Sequence, residues 1–234
     1  FPFTFPLPPM KTIALLPMKA HSARVSGKNF RPFAGKPLFR WILDTLLAVE
    51  EIGAVVINTD ARDILAQNGL VGTDRIVIRD RKPEICGDFV SMNLVLADDI
   101  ASVEADAYLM THTTNPLLGA DTIRRAIAAY RKGVDAGTHD SLFAVNKFQT
   151  RFYREDGSAV NHDPDNLIRT QDLEQWFEEH SNLYIFSRAS FAATNARIGL
   201  RPILFETPRA ESADIDDQIG WDIAEKLAIA AKSS

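Results

Sequence analysis

Over roughly its first 130 residues the chain alternates short β-rich apolar runs with amphipathic helical stretches, and this alternation restricts the fold more than any other feature. Strands separated by helices cannot close as tight hairpins. Each must cross over to a parallel neighbour, which places helices on the sheet's faces. Residues 12–17, 54–58, 75–78 and 107–110 read as strands, and 37–50, 92–103 and 121–131 as helices. Pro37 is expected in the first helix's opening turn, where its missing N–H is harmless. From residue 140 the pattern changes. A strand at 141–146 and alternation at 149–153 precede a turn at Glu155-Asp156-Gly157-Ser158 that leads into Ala159 and Val160, which is antiparallel hairpin material. A polar stretch at 161–175 follows, then strands at 183–186 and 203–205, a short helix from Ala189 and a last helix from about Gln218 to Ala231. The expectation is a mostly parallel α/β sheet carrying a small antiparallel insertion.

The 234 residues, 46% hydrophobic and 24% charged, suffice for one large α/β domain and exclude collagen-like or disordered readings. Net charge is −5, so general attraction to nucleic-acid phosphate is not expected and any bound anion needs a local pocket. A single cysteine, Cys86, leaves no internal disulfide or multi-cysteine zinc site and points to a reducing compartment, the cytoplasm. No apolar run approaches the ~20 residues that cross a bilayer, so no membrane partner is expected. Residues 1–9, apolar and proline-rich, are read as a remnant or extension ahead of a natural start at Met10, with 10–234 forming a single domain.

Two polar segments carry the chemistry. The loop after the first strand holds Lys19, Ser22, Arg24, Ser26, Lys28 and Asn29 at the sheet's carboxyl edge, where open α/β sheets bind ligands. It fits neither the Walker A nor the GxGxxG pattern. Lys19, Arg24 and Lys28 can neutralise a polyphosphate, Ser22 can donate to its oxygens, and Asn29 can read the edge of a base. A plain solvated basic loop is the alternative. Near the other end of the chain, Asp214 and Asp216 flank the apolar Ile215. In an extended strand, alternate side chains share a face, so the two carboxylates would converge on one hard cation such as Mg²⁺. Helix capping by Asp216 or Asp217 is the competing explanation.

The run from Ile13 to Leu38, with Lys28-Asn29 and Gly35-Lys36-Pro37-Leu38, resembles the signature of the acylneuraminate cytidylyltransferase family. Lys19 stands where the family has Arg, Ala20-His21 replaces a small or glycine pair, and Ser26 replaces Pro. Four later segments are also similar to family stations. Residues 83–91 resemble the loop that contacts the nucleotide, with Arg81 and Ser91 as counterparts, although Ser91 also suits an N-cap. Residues 109–117 resemble the strand end lining the acceptor pocket, where His112 falls on the family's Gln; a structural His is the alternative. Residues 169–186 resemble the stretch supplying dimer contacts and sugar-carboxylate cations, with Arg169 and Gln171 as sugar-side residues, Glu174-Gln175 in place of Pro-Pro and His180-Ser181 in place of Asn-Gly. A surface Arg is the alternative for Arg169. Residues 211–225 resemble the element whose two aspartates hold Mg²⁺.

The resemblance implies a Rossmann-like nucleotidyltransferase domain whose insertion, within 140–200, serves dimerisation and the sugar side. It implies transfer of CMP from CTP to the anomeric hydroxyl of a sialic-acid-like keto sugar acid. Lys19, Ser22, Arg24 and Lys28 would hold the triphosphate, Asn29, Arg81 and Ser91 the nucleoside, His112, Arg169 and Gln171 the sugar, and Asp214 with Asp216 the Mg²⁺. Lys19, Lys28 and the two aspartates would form the catalytic set of a homodimer. Transfer to a sugar or alcohol phosphate, or nucleotide-sugar binding without catalysis, are the rival expectations.

Overall fold

A computed structural model describes residues 10–20, 25 and 27–232. Ser22, Arg24 and Ser26 lie outside the described residues. The strand β1 (Thr12–Leu15) is followed by a two-strand ribbon, β2 (Pro32–Phe33) and β3 (Lys36–Pro37), then α1 (Leu38–Leu47), β4 (Ile52–Thr59), α2 (Arg62–Gln67), β5 (Ile76–Asp80), α3 (Met92–Ser102), β6 (Ala107–Met110) and α4 (Ala120–Asp135). The second half contributes β7 (Ser141–Phe148), β8 (Trp176–Phe186), α5 (Arg188–Thr194), β9 (Pro202–Glu206) and α6 (Gln218–Lys232). Among the described residues no helix is long and apolar enough to cross a membrane.

Seven strands form one sheet in the order β5-β4-β1-β6-β8-β7-β9. The pairings of β1 with β4 and β6, of β4 with β5, and of β7 with β9 are parallel, whereas β8 runs antiparallel to both its neighbours. The chain therefore moves outward from β1 through β4 to β5, then returns to the other side of β1 with β6. That reversal opens a crevice at the carboxyl ends of β1 and β6.

Alternation within β1 shows why both faces are covered. Ala14, with Leu16 just beyond the strand, packs against Phe39, Ile42 and Leu46 of α1, Leu65 of α2 and Ile123 and Ile127 of α4. Ile13 and Leu15 point the other way, into a second cluster with Leu96 and Ile100 of α3 and Phe191 of α5.

Several sequence expectations need correction. Pro37 does not open α1; it ends β3, directly before the helix, at φ −54° and ψ 142°. The ribbon turns through Ala34 and Gly35 at φ 44° and 95°, the doubly positive pair of a tight hairpin, which a glycine tolerates without strain. Helix α2 was not expected. The antiparallel strand expected within 140–200, β8, enters the main sheet between β6 and β7. The turn at 155–157 does form a hairpin, with a Tyr153–Ala159 bridge and Arg154 N–H donating to the Ser158 carbonyl at 2.9 Å.

Candidate functional site

A third apolar cluster decides where the two polar segments meet. Phe33 from the ribbon sits edge-on to Trp221 of α6 at 5.3 Å between centroids, and Val25, Leu38, Ile215 and Ala224 pack around them. Arg31 lies over the Trp221 ring at 4.4 Å, and Ala34 N–H donates to the Glu225 carboxylate at 2.7 Å. Ile215 is fully buried here, a burial that contributes about 1.5–3 kcal/mol. The apolar residue between the aspartates thus anchors their segment to the ribbon beyond the basic loop.

Hydrogen bonds close the polar side of that junction. Lys28, itself buried, donates its ammonium to the Ile215 carbonyl at 2.6 Å, across 187 residues of sequence. Ile215 N–H donates to the Thr114 carbonyl at 2.9 Å, and Asn115 Nδ2 donates to the Ala213 carbonyl at 3.4 Å. Basic loop, acidic segment and the turn after β6 therefore converge at the carboxyl edge of the sheet. Residues 213–215 are not a strand, contrary to the expectation. The segment is held by the Thr114 bond and the Ile215 anchor instead, and Asp214 and Asp216 on either side are half-buried. The capping role falls to Asp217, whose carboxylate accepts from Gly220 N–H at 2.7 Å.

Glu211 fixes the approach to this segment. Its two carboxylate oxygens accept from Gly119 N–H at 2.8 Å and Thr122 Oγ1 at 3.0 Å, closing the start of α4. Gly220 leaves room at the other end. A methyl group there would stand 2.9 Å from the Asp214 carbonyl, which as backbone cannot yield cheaply. Gly220→Ala is accordingly expected to destabilise by about 1–3 kcal/mol, although alanine is the better helix former by ~1 kcal/mol. Thermal unfolding checks this; a gain in melting temperature would show that the segment is loosely held.

A cavity of about 140 Å³ opens between Pro17, Lys19, Lys28, Asn29, Arg81, Met92, His112, Thr113 and Thr114. Half-buried Lys19 pairs with the exposed Asp88 at 2.9 Å, so an incoming anion can displace this contact at little cost. Arg81 is buried and aimed by Asn58, which accepts from its Nε at 2.9 Å on the side-chain oxygen and from its Nη2 at 2.8 Å on the carbonyl. Asn58 is in turn held by Asp99 of α3 at 2.8 Å.

Four residues expected at the ligand have partners within the chain. Asn29 lines the cavity, donates to the Lys19 carbonyl at 2.8 Å and accepts from Thr113 Oγ1 at 2.6 Å, so it also braces the loop. Ser91 is exposed and caps α3 through Asn93 N–H at 3.3 Å, outside the residues lining the cavity. Arg169 is exposed and paired with Asp172 at 2.7 and 3.1 Å. Gln171 is also exposed, its carbonyl engaged by Gln149. Neither belongs to the cleft lining, because both ride on the insertion between β7 and β8.

Burial pushes the His112 ring down to about 3, and the positive charges of Arg197 and Lys28 add to the effect. His112 is therefore neutral at physiological pH, offering one donor and one acceptor. The unfolded ring takes a proton near pH 6.5 and the folded one near 3. Its stabilising contribution is complete above pH 6.5 and shrinks as pH falls toward 3. His112→Gln should flatten the loss of stability between pH 6.5 and 4; an unchanged slope in denaturant midpoints would contradict this.

A second groove of about 400 Å³ is lined by Asp214 together with Asn146, Glu178, Glu179, His180, Tyr184 and Arg197. Of these, Arg197 carried no signal in the sequence.

The family model for cytidylyltransferase matches residues 13–229, nearly the whole chain. The chain belongs to the cytidylyltransferase family. It is thus a nucleotidyltransferase. N-acylneuraminate cytidylyltransferase of Oncorhynchus mykiss is 26% identical over 222 residues, covering 91% of this chain; the chain spans about half (49%) of that longer protein. Pseudaminic acid cytidylyltransferase of Campylobacter jejuni is 24% identical over 218 residues, 88% of this chain and 91% of the relative. The structure of a CMP:2-keto-3-deoxy-manno-octonic acid synthetase complexed with CTP superposes with a TM-score of 0.63 at 15% identity, covering 96% of this chain and all of the other. That likeness establishes the cytidylyltransferase fold. In this cytidylyltransferase the crevice at the β1/β6 reversal holds Lys19, Lys28, Arg81 and His112, with Asp214 strapped to its rim.

Proposed function

We propose that this cytidylyltransferase transfers CMP from CTP to the anomeric hydroxyl of a keto sugar acid, releasing pyrophosphate. The supporting observation is the Lys28 ammonium seated on the Ile215 carbonyl, between two aspartates from the opposite end of the chain. Charge neutralisation and a divalent-cation donor pair then share one crevice, which is what nucleotidyl transfer needs. Relatives named for acylneuraminate and pseudaminate support an acidic sugar as acceptor.

The donor set suits Mg²⁺: two half-buried carboxylates, with no three His, Cys, Asp or Glu side chains gathered to cage a metal among the described residues. Mg²⁺ takes one or two carboxylates and fills the remainder with phosphate oxygens and water. Asp214 and Asp216 would hold it; bound there, it supplies charge neutralisation and acidifies a hydroxyl it contacts. Lys19 leaves Asp88 to meet the triphosphate, while Lys28 stays in place. Arg81, aimed by Asn58, offers its remaining N–H groups to the nucleotide. The acceptor oxygen forms a bond to the α-phosphorus as the bond from that phosphorus to the bridging oxygen breaks. The electron pair leaves with pyrophosphate, and the hydroxyl proton is lost to solvent. His112, neutral and only weakly basic, orients the acceptor by hydrogen bonding rather than storing that proton. The exposed Tyr153, Leu167, Ile168 and Phe177 on and beside the insertion support a homodimer, to be checked as a solution mass of twice 26.0 kDa.

Pyrophosphate release is measured with CTP, Mg²⁺ and either nine-carbon or eight-carbon keto sugar acids or sugar and alcohol phosphates. Release with a keto acid supports the reading. Release only with a phosphate acceptor, or CTP binding without release, overturns it.

A further inference from the structure

The sequence offered Arg169 as the guanidinium for an acceptor carboxylate, yet that residue is 72% exposed and already holds Asp172 in a two-point pair. A different arginine lines the groove beside Asp214. Arg197, on the connection between α5 and β9, lies 3.9 Å from the centroid of the Tyr184 ring and is only 22% exposed. Its carboxylate contact, Nη2 to Glu179 at 3.5 Å, is long, and Glu179 spends the same oxygen on the Tyr184 hydroxyl at 2.6 Å. The guanidinium is thus fixed in plane by the ring and loosely neutralised, with most of its donors still available.

Its position joins the two halves of the site. Arg197 and Asp214 line the same groove, and the charge of Arg197 is felt at His112, which lines the neighbouring nucleotide cavity. An acceptor reaching between these cavities would pass over the Arg197 fork. The groove's other charged lining, Glu178, Glu179 and Asp214, is acidic. An anionic acceptor therefore needs a fixed cation there, and a planar fork matches a carboxylate in two-point geometry better than an ammonium does.

Resting on the keto-acid reading above, we propose that Arg197, stacked on Tyr184, is the residue that binds the acceptor's carboxylate and makes the enzyme select acids over neutral sugars. The test compares N-acetylneuraminate and 3-deoxy-manno-octulosonate with their methyl esters, at saturating CTP and Mg²⁺, for the native enzyme, Arg197→Gln, Arg197→Lys and Arg169→Gln. The native enzyme should prefer at least one acid to its ester by about a hundredfold in kcat/KM. Arg197→Gln should lose most of that preference through a raised acceptor KM, with KM for CTP unchanged, and Arg197→Lys should recover only part of it. A preference that survives in Arg197→Gln, or that vanishes in Arg169→Gln instead, overturns the assignment while leaving the cytidylyltransfer reading intact. Turnover of neither acid nor ester by the native enzyme, with turnover of a phosphate acceptor, overturns both. Circular dichroism and melting of the variants, measured alongside, should match the native enzyme.

Discussion

Asp216→Ala is expected to lower kcat/KM for CMP transfer by about a thousandfold, equivalent to about 4 kcal/mol of transition-state stabilisation. The reason is local. Asp216 follows the fully buried Ile215, and the capping of α6 is performed by Asp217 instead. The alanine therefore removes the proposed cation ligand while leaving the Ile215 anchor and the Asp217 cap in place, and the melting temperature should move by no more than ~4 °C. Raising Mg²⁺ should recover part of the activity if the remaining carboxylate of Asp214 still binds weakly. Retention of full activity at ordinary Mg²⁺ would show that this carboxylate does not hold the cation.

Lys28→Met should damage both stability and catalysis. The replacement has similar length and fills the same buried slot, but the Ile215 carbonyl loses its 2.6 Å donor. An abandoned buried acceptor costs about 1–3 kcal/mol, or roughly 2–12 °C in melting temperature at this chain length. Turnover should fall more than a hundredfold, because on the proposed reading the triphosphate loses a fixed positive charge and the acidic segment loses its tie to the basic loop. Gly220→Ala perturbs the same segment from the other side without removing any charge. Comparing the two separates the electrostatic effect from displacement of the backbone.

The strands around β1 were legible because buried parallel strands are continuous apolar runs, as in residues 54–58 and 107–110, and their partners follow from crossover rules. The crevice was legible for the same reason: a polar loop after β1 must emerge at the carboxyl edge. Less was visible where tertiary contacts overrule local pattern. Pro37 looks like a helix opener, yet the positive φ pair at Ala34 and Gly35 draws it into a ribbon. The direction of β8 is set by its neighbours β6 and β7, not by its own residues.

Within the site, Lys28 and the two aspartates could be singled out because charged residues clustered at two places in the chain stand apart from their surroundings. Asn29 reads as a base contact, and its side-chain oxygen also accepts from Thr113, 84 positions away. Asn58 and Glu211 act by aiming Arg81 and closing α4. Arg197 acquires meaning only when Tyr184 is placed beneath it. No spacing in the sequence marks any of these three, since each works through a partner distant along the chain.

The shared crevice is tested most directly by a crystal structure of the complex with CTP, with Mn²⁺ in place of Mg²⁺ so that anomalous scattering locates the cation. The expected result is a peak between the Asp214 and Asp216 carboxylates and the nucleotide's phosphates, with Lys19 turned from Asp88 toward the triphosphate and Lys28 still on the Ile215 carbonyl. A triphosphate bound with Lys19 still on Asp88 and no cation at either aspartate would contradict the account.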